Sequence, residues 1–216
     1  MPYQSLASHT VLAALSLLRD GAREVDHVVT AIGPVEKYAA NPLFQQDQPW
    51  EPRLDNGYPN VMYDPHNPRD ADKPWRLWYG DCVKGCGLQL LLYADSADGY
   101  SWVKPDLGLF NITTVRPDLK DIGVHNNVVL QGGGVGVYLD PATQSPSERF
   151  KAFGSACYSN NHKDSCKQMD GTAVSADGFT FTNATALIWP KPQRYDTHNN
   201  VVWDPVQNNY IASTRD

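Results

Sequence analysis

Three aspartates stand just ahead of three similar segments. Asp55 precedes Tyr58 by three residues, Asp121 precedes His125 by four, and Asp196 precedes His198 by two. Each falls where a loop would deliver the chain into a strand, so the three are expected to converge on one rim. Carboxyl groups gathered in this way can divide acid–base work: one donates a proton to a departing oxygen while another attacks or activates water. Asp ahead of a strand is also ordinary turn chemistry. Asp55, Asp121 and Asp196 are therefore the candidate catalytic residues. Tyr58, His125 and His198 head the three segments and are candidate ligand contacts, together with Trp50 and Glu51 upstream of the first. The imidazoles could hydrogen-bond a ligand, hold an axial metal or serve as satisfied polar groups of a strand. No metal or other cofactor is indicated, axial calcium included.

The elements that must position these residues come from a block that returns three times. It reads Gly57-Tyr58-Pro59-Asn60-Val61-Met62-Tyr63-Asp64-Pro65, then Val124-His125-Asn126-Asn127-Val128-Val129-Leu130, then Thr197-His198-Asn199-Asn200-Val201-Val202-Trp203-Asp204-Pro205. Aligned on Asn60, Asn127 and Asn200, the copies are spaced by 67 and 73 residues. A period of that size, filled with short strands, predicts radially repeated sheets and hence an all-β fold, a β-propeller. Within the first repeat, strands are predicted at Tyr58–Tyr63, Trp75–Tyr79 and Gly87–Ala94, followed by the Asp-Gly turn of Ser96–Trp102 and a short outer strand. The second repeat has the same order. Asn127–Leu130 runs through glycines into Gly136–Pro141, followed by strands at Arg149–Ser155 and Gly171–Val174 and a turn at Ser175–Phe181. Asp98 and Asp177 are expected to cap the outer turns. The recurring asparagines suggest a shared backbone role.

The 216 residues suffice for one large all-β domain or part of one, and 41% hydrophobic residues allow a packed core. A net charge of −6 and the lack of a Lys/Arg block argue against nucleic acid as partner. No apolar run is long enough to span a bilayer, so no membrane is expected. Residues 1–30 read as a helix or a signal remnant around Val11–Leu18, and 31–56 as a lead-in loop to a partial propeller over 31–216, with repeats starting near 57, 124 and 197. Cys82 with Cys86 and Cys157 with Cys166 form two local pairs that open 75 residues apart, at the same loop of successive repeats. Two loop-closing disulfides fit this pattern, with a zinc site as the rival. The sequons at Asn111 and Asn183 agree with a secretory route, either secretion or residence in the lumen.

The phrases Trp75-Arg76-Leu77-Trp78-Tyr79 and Tyr93-Ala94-Asp95-Ser96-Ala97-Asp98-Gly99-Tyr100-Ser101-Trp102, with Gly136–Pro141 and Arg149–Gly154, resemble the five-bladed propeller glycoside hydrolases, families 32, 43, 62 and 68. The resemblance covers about residues 41–216 and rests on structural motifs, which specify fold better than activity. It implies a five-bladed propeller of which about two and a half blades are present, acting on a carbohydrate substrate with axial carboxylates. The third repeat ends after its second strand, so the chain is expected to be a fragment with an open edge. One departure stands out: Tyr58-Pro59 occupies the place where family 43 carries Asp-Pro, its usual base. Arg215-Asp216 lies in the third repeat, not the second, and is not equated with the Arg-Asp-Pro of family 32. The rival expectations are a carbohydrate-binding or scaffold propeller that has lost its carboxylates, and a sialidase-like propeller, since Ser96–Trp102 resembles an Asp-box with its glycine one residue early.

Overall fold

The computed structural model describes residues 34, 36–54, 57–83, 85, 87–158, 169–186 and 196–215. The chain divides into two units, 1–39 and 40–216. The helix or signal segment expected over 1–30 lies outside the described residues, and every strand belongs to the second unit. That unit is all-β: among the described residues it holds ten strands, three short 3-10 helices and no α-helix.

The first repeat folds as β1 (Asn60–Tyr63), β2 (Trp75–Val83), β3 (Leu88–Ser96) and β4 (Trp102–Val103), each antiparallel to the one before. The second repeats the order with β5 (Val128–Leu139), β6 (Phe150–Ala156), β7 (Met169–Ser175) and β8 (Thr182–Ala186). The third contributes a hairpin of β9 (Asp196–Asp204) and β10 (Asn209–Arg215). β5 also pairs with β3, so the first two repeats form one continuous sheet instead of separate ones.

The register of these ladders corrects the alignment of the repeats. Tyr63 faces Trp75, Leu139 faces Phe150 and Trp203 faces Tyr210. Counting back, Asn60 opposes Trp78, Gly136 opposes Phe153 and Asn200 opposes Ser213. The residue corresponding to Asn60 in the second repeat is therefore Gly136, not Asn127. The aspartates that end the three strands confirm this phase. Asp64, Asp140 and Asp204 each accept a hydrogen bond from the backbone N–H two residues on, at His66, Ala142 and Val206. The cause of the slip is the length of β5. Its first half pairs with Leu90–Leu92 of β3, and an irregularity between Gly133 and Gly136 separates that half from the part that pairs with β6. At Gly136 a Cβ would stand 1.9 Å from the carbonyl oxygen of Asn199, so β9 crosses β5 where only glycine leaves room.

Both faces of β2 and β3 are buried, which explains their nearly continuous apolar runs. Leu77, Tyr79, Leu90, Leu92 and Ala94 pack beneath Trp50, Phe110, Ile112 and Val115. The opposite face, with Trp78, Leu91 and Tyr93, packs on Val137, Phe150 and Phe179 of the second repeat. The outer turns hold this contact together. Ser175 Oγ accepts from the N–H groups of Asp177 and Gly178, and Asp177 Oδ1 accepts from Phe179 and Thr180; Ser96 and Asp98 make the same set of bonds. The second turn then offers its carbonyls to the first repeat: Arg76 donates to Asp177 O at 2.6 Å and Trp78 Nε1 to Gly178 O at 2.9 Å. Arg76 is fully buried, yet its charge is answered by Asp64 at 3.1 Å and by the rings of Trp78, Phe150 and Phe179 at 4.6, 4.7 and 4.9 Å. Neither Cys82 nor Cys157 is a free thiol; Cys86 and Cys166, their expected partners, lie outside the described residues.

Candidate functional site

A cleft of about 570 Å³ is lined by the first repeat and by His198 of the third. Phe44 and Leu54 of the lead-in loop form one wall, Gly57–Pro59 and Val61 the rim, Leu77 and Tyr79 the floor, with Trp102 and His198 at its ends. The volume falls inside the usual range for small-molecule sites, about 300–1,000 Å³.

The rim is locally strained. Tyr58 has φ +40°, a left-handed conformation that costs a bulky side chain on the order of 1–3 kcal/mol. In that conformation its ring stacks on His198, with centroids 5.8 Å apart and planes 23° from parallel. Beside the stack, Asn60 Nδ2 lies 2.9 Å from His198 Nε2 and 3.3 Å from the carbonyl oxygen of Tyr58, to which it donates. Burial lowers the pKa of His198, keeping the ring neutral over a wider range of pH.

Beneath the floor lies a closed polar network. Tyr79 donates to Glu51 Oε1 at 2.6 Å, and Asn127 Nδ2 donates back to the Tyr79 hydroxyl at 2.6 Å. Trp50 Nε1 donates to Asn127 Oδ1 at 2.8 Å. Lys104 Nζ meets Glu51 Oε2 at 2.6 Å and Asp47 at 2.7 Å, over the ring of Phe44. Burial, then the negative charge of Glu51, pushes the Tyr79 phenol well above its ordinary pKa, so it remains a donor. On the same strand Asp81 is buried with Oδ1 accepting from the Arg53 N–H and Oδ2 unpartnered; burial raises its pKa to about 7.

The structure sorts the sequence candidates. Tyr58 and His198 meet at the cleft. Trp50 and Glu51 lie below it, with both Glu51 oxygens engaged and its side chain fully buried. Asp55 lies outside the described residues, between Leu54 and Gly57, both of which line the cleft. Asp196 begins β9, two residues before His198; its side chain is not described. Asp121 is exposed in a turn and does not line the cleft. His125 is also apart: it is exposed, with Nδ1 2.7 Å from Asp106 Oδ2. Its match to Tyr58 and His198 belonged to the shifted alignment; by register the corresponding residues fall in the glycine run ahead of Gly136. Phe44, Tyr79, Trp102 and Asp81 were not among the sequence candidates. Of these only Asp81 carried a signal, a lone acid inside the apolar run Trp75–Val83.

Chemically, the cleft offers flat aromatic faces, a neutral imidazole and an amide. That set suits a ligand with apolar ring faces and hydroxyl groups, and carries no fixed charge on its described lining. Comparison of the chain with protein-family models, curated proteins and solved structures gives no match.

Proposed function

We propose that the chain binds carbohydrate in this cleft and forms part of a five-bladed β-propeller of the glycoside hydrolase type. The observation that carries the reading is the aromatic cleft with the Tyr58–His198 stack at its rim. Sugar rings present C–H faces to aromatic side chains and hydroxyls to neutral polar ones, the two kinds of group found here. The radial arrangement is supported by the first strands of the three repeats lying side by side. Met62 of β1 contacts the N–H of Leu139, and Tyr138 of β5 accepts from the N–H of Trp203 in β9. The reading also takes Cys82–Cys86 and Cys157–Cys166 as loop-closing disulfides of a secreted protein. Glycan-array screening followed by calorimetry tests the binding. Trp102→Ala and Tyr58→Ala should each weaken the best ligand about tenfold, or about 1.4 kcal/mol. Unchanged affinity in both variants refutes the site.

A second reading, hydrolysis, is favoured by the sequence positions of Asp55 and Asp196 beside cleft-lining residues. One would protonate the leaving oxygen and the other attack or activate water. Under this reading Asp55→Asn and Asp196→Asn abolish sugar release while retaining binding, and Asp121→Asn leaves turnover intact. Turnover that survives both of the first two substitutions excludes the assignment.

A further inference from the structure

We propose that Asn60 is a positioning residue that holds His198 in one neutral tautomer, with Nε2 bare and the proton on Nδ1, and so makes the cleft present a donor to an uncharged, acceptor-rich ligand. The ligand clause rests on the carbohydrate reading; the tautomer clause does not.

Asn60 Nδ2 reaches both His198 Nε2, at 2.9 Å, and the carbonyl oxygen of Tyr58, at 3.3 Å. A carbonyl can only accept, so the group facing it is the amide nitrogen and not the amide oxygen. An amide nitrogen has no acceptor capacity, so Nε2 must accept and the proton of the neutral ring must sit on Nδ1. Among the described residues Nδ1 has no partner, and it is the one N–H the ring has left for a ligand. The burial of Asn60 and the Tyr58 stack fix the geometry from two sides.

Protonation of His198 would set a second N–H against the Asn60 NH₂ and break the contact. The described charged groups nearby do little to favour the cation. Burial alone lowers its pKa. Within the cleft the titratable neighbours are Tyr58 and Tyr79, and Tyr79 is committed to Glu51, which Lys104 neutralises. From β5 and β6, Tyr138 and Lys151 reach the far end of the hairpin: Tyr138 meets Trp203, and Lys151 meets Asp140, which also binds Tyr210. Because Asn60 is on β1 and His198 on β9, the same bond joins the first repeat to the third.

Nitrogen-15 imidazole spectra of the full chain decide the matter, with the His198 signals assigned by their loss in His198→Gln. Wild type should show Nε2 unprotonated, Nδ1 protonated and a titration midpoint below the ordinary 6.5. Asn60→Asp should reverse the tautomer and raise the midpoint, because a carboxylate accepts from Nε2–H and favours the cation. Asn60→Ala should free Nε2 to take the proton. Affinity for the glycan at neutral pH should fall about tenfold in Asn60→Asp, whose reversed tautomer leaves Nδ1 bare, the worth of one lost hydrogen bond. In that variant affinity should recover as pH falls and Nδ1 regains its proton. Protonated Nε2 in neutral wild type, or one tautomer and midpoint shared by wild type and both Asn60 variants, overturns the proposal. The expected spectra with no glycan bound at any pH would uphold Asn60's role and refute the carbohydrate reading.

Discussion

Lys104 and Glu51 are almost wholly buried and meet at 2.6 Å, so each compensates much of the hydration the other has lost. Removing one partner of such a pair costs about 3–5 kcal/mol, since the other is left uncompensated. Lys104→Ala should lose stability in that range on urea unfolding. Asp81 works in the opposite sense, because its environment opposes ionisation. Its pKa rises from 3.8 to about 7, so between those values the folded chain holds a proton that the unfolded chain has released. Its favourable contribution is complete below 3.8 and is lost as pH rises to about 7. Asp81→Asn should therefore gain Tm relative to wild type between pH 5 and pH 8, and a difference independent of pH would contradict this. His198 has the reverse sign: its lowered pKa contributes stability above 6.5 that is lost as pH falls. Little of this was legible in the chain. Trp50-Glu51 stood out as a pair, but the side chains that meet Glu51, Tyr79 and Lys104, arrive from 28 and 53 residues away, with no local pattern to announce them.

β5 shows how an element can hide its own repeat. The likeness of Val124–Val129 to Thr197–Val202 is plain in the letters, yet the ladder sets Gly136 against Asn60 and Asn200. Side-chain identity vanishes there because the backbone of β9 occupies the space. Elsewhere the pattern was readable. β2, β3, β6 and β7 fall on the predicted apolar runs, and both Asp-Gly turns carry glycine at positive φ. Those features depend on residues near in sequence, whereas the crossing at Gly136 depends on a strand about 60 residues later. Gly136→Ala should push β9 from β5 at a cost of about 1–3 kcal/mol, typical of overpacking. Hydrogen exchange should speed up along β9, and ligand affinity should fall although no cleft residue has changed.

At the scale of the molecule, the third repeat differs from the others in having only two described strands. β10 pairs on one side with β9, and Val202, Val206, Tyr210 and Ile211 of this hairpin are all exposed. Exposed apolar side chains gathered in this way favour self-association. Ile211→Lys should lower light scattering in concentrated solution while leaving the Tm of the chain almost unchanged. The all-β class and the antiparallel strand order within each repeat were legible from alternation and turns. The merging of two repeats through β3 and β5 was not, because it depends on where the glycines let β5 bend. Arg76 bridges the first two repeats. Its guanidinium sits between two repeats, answered by Asp64 in its own and by the Asp177 carbonyl in the next, while Arg149 of the second repeat also grips Asp64 at 2.6 Å. Separating the repeats would take Arg149 from the buried Asp64 and the Asp177 carbonyl from the buried Arg76 at once. The two should therefore melt in a single cooperative transition, so that damage to either is felt as the unfolding of both.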